Sequence, residues 1–431
     1  GGGMSTSGNL PSHENYLYTT HSVKDTFNIL KKNGILSITI DAKENVRDAL
    51  RLFTTIMKAL ENERNMDKKI FIFRSMTTAT FLVKKGEFKA DEIEKLKKFC
   101  ESNSFDVSYY NGIDPTGNRQ VFNEEAITAS ADGESSSNPE RYALYKISIA
   151  KFLNQNYDKF IDNFPYNIRP VSDNQPYFAY KLKSGQALKA LFSGNFSSVP
   201  YQETNYLILW LNLAIAIIVA ALIICLPLVK TIFNRRKRTD WYGGKLKMIG
   251  YFACLGFGFL FVEIVLIQKF VLFLTNPIYS TSLVLAGILV FSGFGSFYSS
   301  KLVERFRDSR KVMMIASIVI GSVVLLYILV LDPILRSLMS LPMILKFIIS
   351  IIFIAPVAFF LGMPFPLGLS EVNAKREDFM PWAWGINGAT SVISTVLTTI
   401  LSIGLGFHFV WIIAIAVYSA AYFLFPGRLS Y

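Results

Sequence analysis

The chain has 431 residues, 51% of them hydrophobic and 14% aromatic, with a mean hydropathy of +0.34. That composition excludes an ordinary soluble globule and points to a membrane protein or a membrane–soluble chimera. The net charge of +12 first suggests nucleic acid, but from Tyr206 onward there are 18 Lys/Arg against 8 Asp/Glu, and before it 26 against 24. The basic excess therefore lies between apolar runs, which is a topology signal rather than a nucleic-acid surface.

Cys100, Cys225 and Cys254 have no metal-ligand spacing and no disulfide framework, and His13, His21 and His408 are isolated, so no metal is expected. Residues 1–16 are polar and lack the apolar core of a signal peptide. The opening glycines read as an added tail or a truncation edge.

In chain order, Ser22 with Asp25 resembles a capping box, predicting a helix over Val23–Lys32 that stops at Asn33-Gly34. Ile35–Asp41 is a short β-branched run with the character of a buried parallel strand. Asn45–Asn62 has apolar positions at helical spacing. A run from Lys68 or Lys69 to Ser75 and a second over Thr78–Lys85 flank a polar turn and read as a hairpin. Ala90–Cys100 is an amphipathic helix, and Phe105–Tyr110 alternates as a strand does. This order predicts an α/β sheet, parallel inside with an antiparallel strand at one edge. No G-x-G-x-x-G precedes a helix in residues 1–200, so a doubly wound fold would be represented only by its later strands. Residues 111–140 are polar and rich in Gly, Ser and Pro, a long surface loop. Asn163–Lys183 is extended and punctuated by proline, and Gln186–Phe192 is short, amphipathic and suited to a membrane surface.

The second half, residues 201–431, holds seven apolar runs of spanning length: Tyr206–Val229, Met248–Leu272, Ile278–Ser300, Val312–Leu331, Leu345–Leu367, Trp382–Ile403 and Phe407–Phe425. Their connections alternate, 15 basic residues on one side and three on the other, which assigns the Arg235–Arg238 loop to the cytoplasm. With seven spans the soluble half then lies outside the cytoplasm. Two readings stand: an extracytoplasmic sheet domain, or a second segment that dips in and returns.

Glu263 sits in the middle of that second segment, followed by Gln268 and Lys269. An intramembrane charge costs about 2.5–3.5 kcal/mol on insertion scales and is a functional candidate by default. Glu263 and Gln268 are therefore expected to bind a cation, a proton or a small cationic solute. The alternative is a structural pair with Lys269 or a hydrogen bond to a neighbouring span, though six residues along a helix separate Glu263 from Lys269 by nearly two turns and onto different faces. Asn387 and Ser391 are one turn apart and suit hydrogen bonding between helices, with Asn387 also a candidate binding residue. The prolines and glycines of Leu361–Leu369 break the fifth span, which is tolerated where backbone is buried in protein or lines a cavity.

The stretches GFGFLFVEIVLIQKFVLFL-TNPIYS, FSGFGS, LGMPFPLGL and WAWGINGATSVIS resemble bacterial spermidine-synthase-like membrane proteins. These join a class I S-adenosylmethionine-dependent transferase-like domain to a multi-span, transporter-like region. ENYLYTTHSVKDTFNILKKNGILSITI is similar to the strand-four-to-strand-five passage of that domain, and IRPVSDNQPYFAYKLK to its closing segment, with Asn174 and Gln175 in place of the usual Asp-Arg. The resemblance implies a partial doubly wound (Rossmann-like) α/β domain over residues 1–200, then an all-α polytopic membrane domain of about seven helices. It implies an aminopropyl- or methyl-transferase, with S-adenosylmethionine or its decarboxylated form as cofactor and a polyamine as solute. It places Tyr18 and Thr19 near the ligand-binding end of a strand and Asp173 in the closing turn. The family's catalytic acid and cofactor loop have no counterpart from residue 14 onward, so a companion chain or a preceding segment would supply them. The expected location is a bilayer, the bacterial inner membrane. The competing expectation is a transporter or solute-binding protein with a regulatory or vestigial α/β cap.

Overall fold

The computed structural model describes residues 15–42, 46–114, 143–154, 156–196, 199, 203–233, 243–375 and 379–426. It forms two compact units, Gly1–Leu207 and Ile208–Tyr431. The expected loop at 111–140 falls mostly outside the described residues.

In the first unit, α1 (Thr20–Ile29) leads to β1 (Ile35–Asp41) and α2 (Arg47–Ala59). A one-turn α3 (Met66–Lys69) enters β2 (Ile70–Arg74), which turns directly into β3 (Thr78–Lys84). Then follow α4 (Ala90–Ser102), β4 (Asp106–Tyr109), α5 (Ala143–Ile149), α6 (Tyr157–Asn163) and α7 (Ser184–Ser193). The sheet order is β1-β3-β2-β4 and every neighbouring pair is antiparallel. This corrects the expected parallel interior. The β2–β3 connection is too short for anything but a hairpin, and β3 returns between β1 and β2 rather than outside them. β1 and β2, both antiparallel to β3, therefore point the same way.

Strand alternation sorts the side chains onto two faces. Ile70 and Ile72 join Phe53, Leu50 and Ile147 of α2 and α5 in the main core. Phe71 and Phe73 face the other way, onto Phe88 and Cys100 beside α4. The unit is thus three layers, with helices on both sides of the sheet. β1 lies at an edge among the described strands, and Ile35 is 47% exposed, so it is not the buried strand its composition predicted. The start of α1 is also corrected. Its cap is Thr19, whose Oγ accepts from the Ser22 N–H, and the helix ends at Ile29, before Asn33 turns left-handed at φ 71°.

The second unit is helical. α8 (Thr204–Phe233), α9 (Gly243–Leu274), α10 (Pro277–Phe306), α11 (Ser309–Ser337), the pair α12 (Met343–Leu361) and α13 (Pro364–Lys375), α14 (Met380–Leu405) and α15 (Phe407–Leu424) supply seven segments long and apolar enough to cross a bilayer. The chain is a multi-pass membrane protein. α9 is one unbroken helix of 32 residues, about 48 Å, so it does not dip and return. The proline-rich break separates α12 from α13, and Tyr251 Oη donates to the Pro364 carbonyl there at 2.5 Å. The small residues around it serve packing: a Cβ on Gly362 would stand 2.0 Å from the Ser292 oxygen, and one on Gly295 1.8 Å from the Phe359 oxygen. Backbones of α10 and α12 touch at this point, which only glycine permits.

Candidate functional site

The polar side chains of the membrane unit collect along α9. This helix runs in the same direction as α14. Asn387 Nδ2 donates to the Phe252 carbonyl at 3.3 Å, and Ser394 Oγ donates to the Phe257 carbonyl at 3.1 Å. Between them a Cβ on Gly256 would meet Thr390 Oγ1 at 2.2 Å, so the two helices are in backbone contact. α14 lines this seam with Thr390, Ser394, Thr398 and Ser402, four hydroxyls spaced one turn apart and all buried. Thr390 and Thr398 donate to carbonyls within α14 at 2.8 and 2.7 Å, while the buried Ser402 hydroxyl has no hydrogen-bond partner among the described residues.

Glu263 lies two turns beyond Gly256 on the same face of α9, which puts it level with Thr398. It is 8% exposed. Among the described residues no hydrogen bond or ion pair reaches its carboxylate. The expected alternative, a pair with Lys269, is not formed.

Lys269 instead faces α11 and α15. Its ammonium donates to Asp332 Oδ1 at 2.8 Å and Oδ2 at 2.7 Å, and stands 3.3 Å from His408 Nε2. His408 Nε2 is 3.2 Å from Asp332 Oδ2, and the Phe407 ring lies 5.5 Å from the ammonium. One carboxylate thereby ties three helices together. Gln268 is half-buried beside Lys269. Lys346, at the start of α12 and also buried, sets its ammonium 5.4 Å over the Phe273 ring. Asp332 and His408 escaped the sequence reading because each is a single polar residue in an apolar run, with nothing local to link them to Lys269.

The soluble candidates Tyr18, Thr19 and Asp173 do come together, at the start of α1. Tyr18 packs on Phe178 with ring centroids 4.9 Å apart, and burial, then Asp48, raises its phenol pKa. Asp173 is 3.7 Å from His21 Nδ1. Thr19 is fully buried and spends its hydroxyl on the Ser22 N–H and the Tyr16 carbonyl. Backbone bonds from Asn15 to Pro176 and from Thr20 to Val171 sew α1 to the closing segment. These contacts form a clasp in which the Thr19 hydroxyl is used as both donor and acceptor.

The clasp continues into a charge network. Arg51, 2% exposed, donates to the carbonyls of Arg169, Phe178 and Tyr180 at 3.4, 2.9 and 2.5 Å. Burial lowers its pKa to about 10 against the pull of Asp48 and Glu203. Lys181 pairs with Asp48 at 2.5 Å, and Glu203 accepts from the Lys181 and Leu182 N–H groups at 3.0 and 3.1 Å. Cys100 is buried in the second core, and burial pushes its thiol up to about 12, which disfavours the thiolate. Among the described residues no group of three His, Cys, Asp or Glu side chains could hold a metal ion.

No family model matches this chain, and neither a curated protein nor a solved structure matches it.

Proposed function

We propose that the membrane half binds and passes a small cation or a proton along the α9–α14 seam, with Glu263 as the carboxylate that receives it. One observation carries this reading: Glu263 is buried within an apolar helix and no hydrogen bond or ion pair reaches it among the described residues; helix register sets it level with Thr398 of α14. A structural carboxylate in hydrocarbon is paired, whereas a site that must load and release a cation is held open between cycles. The hydroxyls of Thr398 and Ser402 can turn their oxygens toward a cation or pass a proton. The chemistry fits a monovalent cation, a proton or one amine of a polyamine. In proteoliposomes, uptake of labelled spermidine or acidification of the lumen should fall at least tenfold in Glu263→Gln, with the gel-filtration profile unchanged. Parental transport in that variant would end the reading.

A second reading, the transferase-like one, is favoured by a separate observation in the soluble unit. β1 and β2 point the same way and are joined through α2, with β3 inserted between them. A like-directed pair linked by a helix is the building unit of doubly wound sheets. Among the described residues no Gly-rich turn follows a strand, so S-adenosylmethionine or its decarboxylated form would need a half-site from a preceding segment or a companion chain. Calorimetric titration of the purified chain with S-adenosylmethionine tests it: binding supports the enzyme, and no heat leaves the soluble unit a cap on the membrane half.

A further inference from the structure

α11 and α15 pack antiparallel and leave a groove of about 720 Å³ between them. Met314, Ile318 and Leu325 line one wall and Ile412, Ile415 and Phe423 the other. Gly321, Ser322, Ala416 and Ser419 form its floor, and these small side chains create the hollow. From Met314 to Leu325 the groove runs about 16 Å along α11, half of a hydrocarbon core of about 30 Å. It therefore spans one leaflet.

Its mouth is basic. Tyr422 lines the groove, and the Arg310 guanidinium lies 5.6 Å over the Tyr422 ring. The connection from Lys301 to Lys311 carries five basic residues against Glu304 and Asp308. Asp308 is engaged in capping α11, accepting from the Arg310 and Lys311 N–H groups. Ser317 also lines the groove. An occupant with an anionic head above a hydrocarbon tail matches both features, the depth and the basic mouth.

We propose that this groove is a lipid site, holding one acyl chain of an anionic phospholipid from the leaflet beside the 301–311 connection, with the phosphate on Arg310. The site is independent of the Glu263 seam, which involves α9 and α14. Annular lipid alone would show no headgroup preference, whereas one guanidinium near an anionic headgroup favours it about fivefold.

The test uses the full chain, purified and delipidated in detergent, with native mass spectrometry after adding phosphatidylglycerol or phosphatidylcholine of identical chains. The parent should retain one phosphatidylglycerol about fivefold more strongly than phosphatidylcholine. Arg310→Gln should bind both equally, and Ala416→Phe, which fills the floor, should retain neither. Gly321→Leu is a second filling variant, since a Cβ there meets Ile415 only at an ordinary 3.5 Å. Equal retention of the two lipids by the parent overturns the proposal. So does undiminished lipid in a folded filling variant, or a dimer that Ala416→Phe dissolves, which would make a second copy the occupant.

Discussion

Glu263 and Lys269 lie six residues apart on one helix, both buried, and the protein treats them in opposite ways. Lys269 has a carboxylate at 2.7 Å, a histidine at 3.3 Å and an aromatic face. Glu263 has no hydrogen-bond partner or counter-charge among the described residues. The soluble unit follows the first pattern: Arg51 is given three carbonyls, and Lys181 and Glu203 are tied to their surroundings. The chain can therefore satisfy a buried charge in either unit, and at Glu263 it does not. Paired charges here hold helices and segments in place, and Glu263 stands apart from that pattern among the described residues.

The sharpest way to probe the paired class is Arg51→Ala. It strands two buried carbonyls and one partly buried one, each buried one worth roughly 1–3 kcal/mol, so a loss of about 4 kcal/mol is expected. It should show as early protease cleavage within residues 166–182. Asp332→Ala comes next. Breaking a buried pair costs about 3–5 kcal/mol, and Asp332 is 26% exposed, which sets the expectation near the low end. Lysine and histidine are then left facing each other, and the detergent melting temperature should drop. A loss as small as that of a surface pair, under about 1 kcal/mol, would show the cluster to be solvated and the contrast with Glu263 to be empty.

Glu263→Gln should move stability the other way. Removing an unpaired charge from membrane depth recovers part of the roughly 2.5–3.5 kcal/mol that it costs, so the melting temperature should rise while transport is lost. A destabilised variant would reveal a partner for Glu263 and merge the two classes. The smallest effect is expected at Asn387→Ala. Its bond to the Phe252 carbonyl is long at 3.3 Å, and interhelical bonds of this kind are worth about 0.6 kcal/mol in membranes. A thermal shift that small with transport intact would confirm Asn387 as helix glue. Loss of transport would place it in the pathway with Glu263.

How far residues alone could reach differs between the two units. Helix and strand positions in the soluble unit were legible because periodicity and turn residues are local. β1 occupies Ile35–Asp41 as its composition predicts, and the β2–β3 hairpin follows from its short polar connection. Pairing partners are not local. Nothing in Thr78–Lys84 announces that β3 will enter between β1 and β2, and that insertion makes every described pairing antiparallel. The cap of α1 was misplaced by three residues because Thr19 and Ser22 are equally competent caps, and contact with the closing segment selects Thr19.

By itself the amino-acid sequence determined that this is a protein of seven membrane segments with a mixed soluble half, because bilayer thickness sets a length of apolar run that can be counted. It also determined that Glu263 costs energy where it sits. Only the tertiary structure decided whether that cost is met. Ion pairing depends on residues 63 and 139 positions away in the chain, as Asp332 and His408 are from Lys269. No local pattern encodes which face of α9 each neighbouring helix will cover, and that choice paired Lys269 and left Glu263 open.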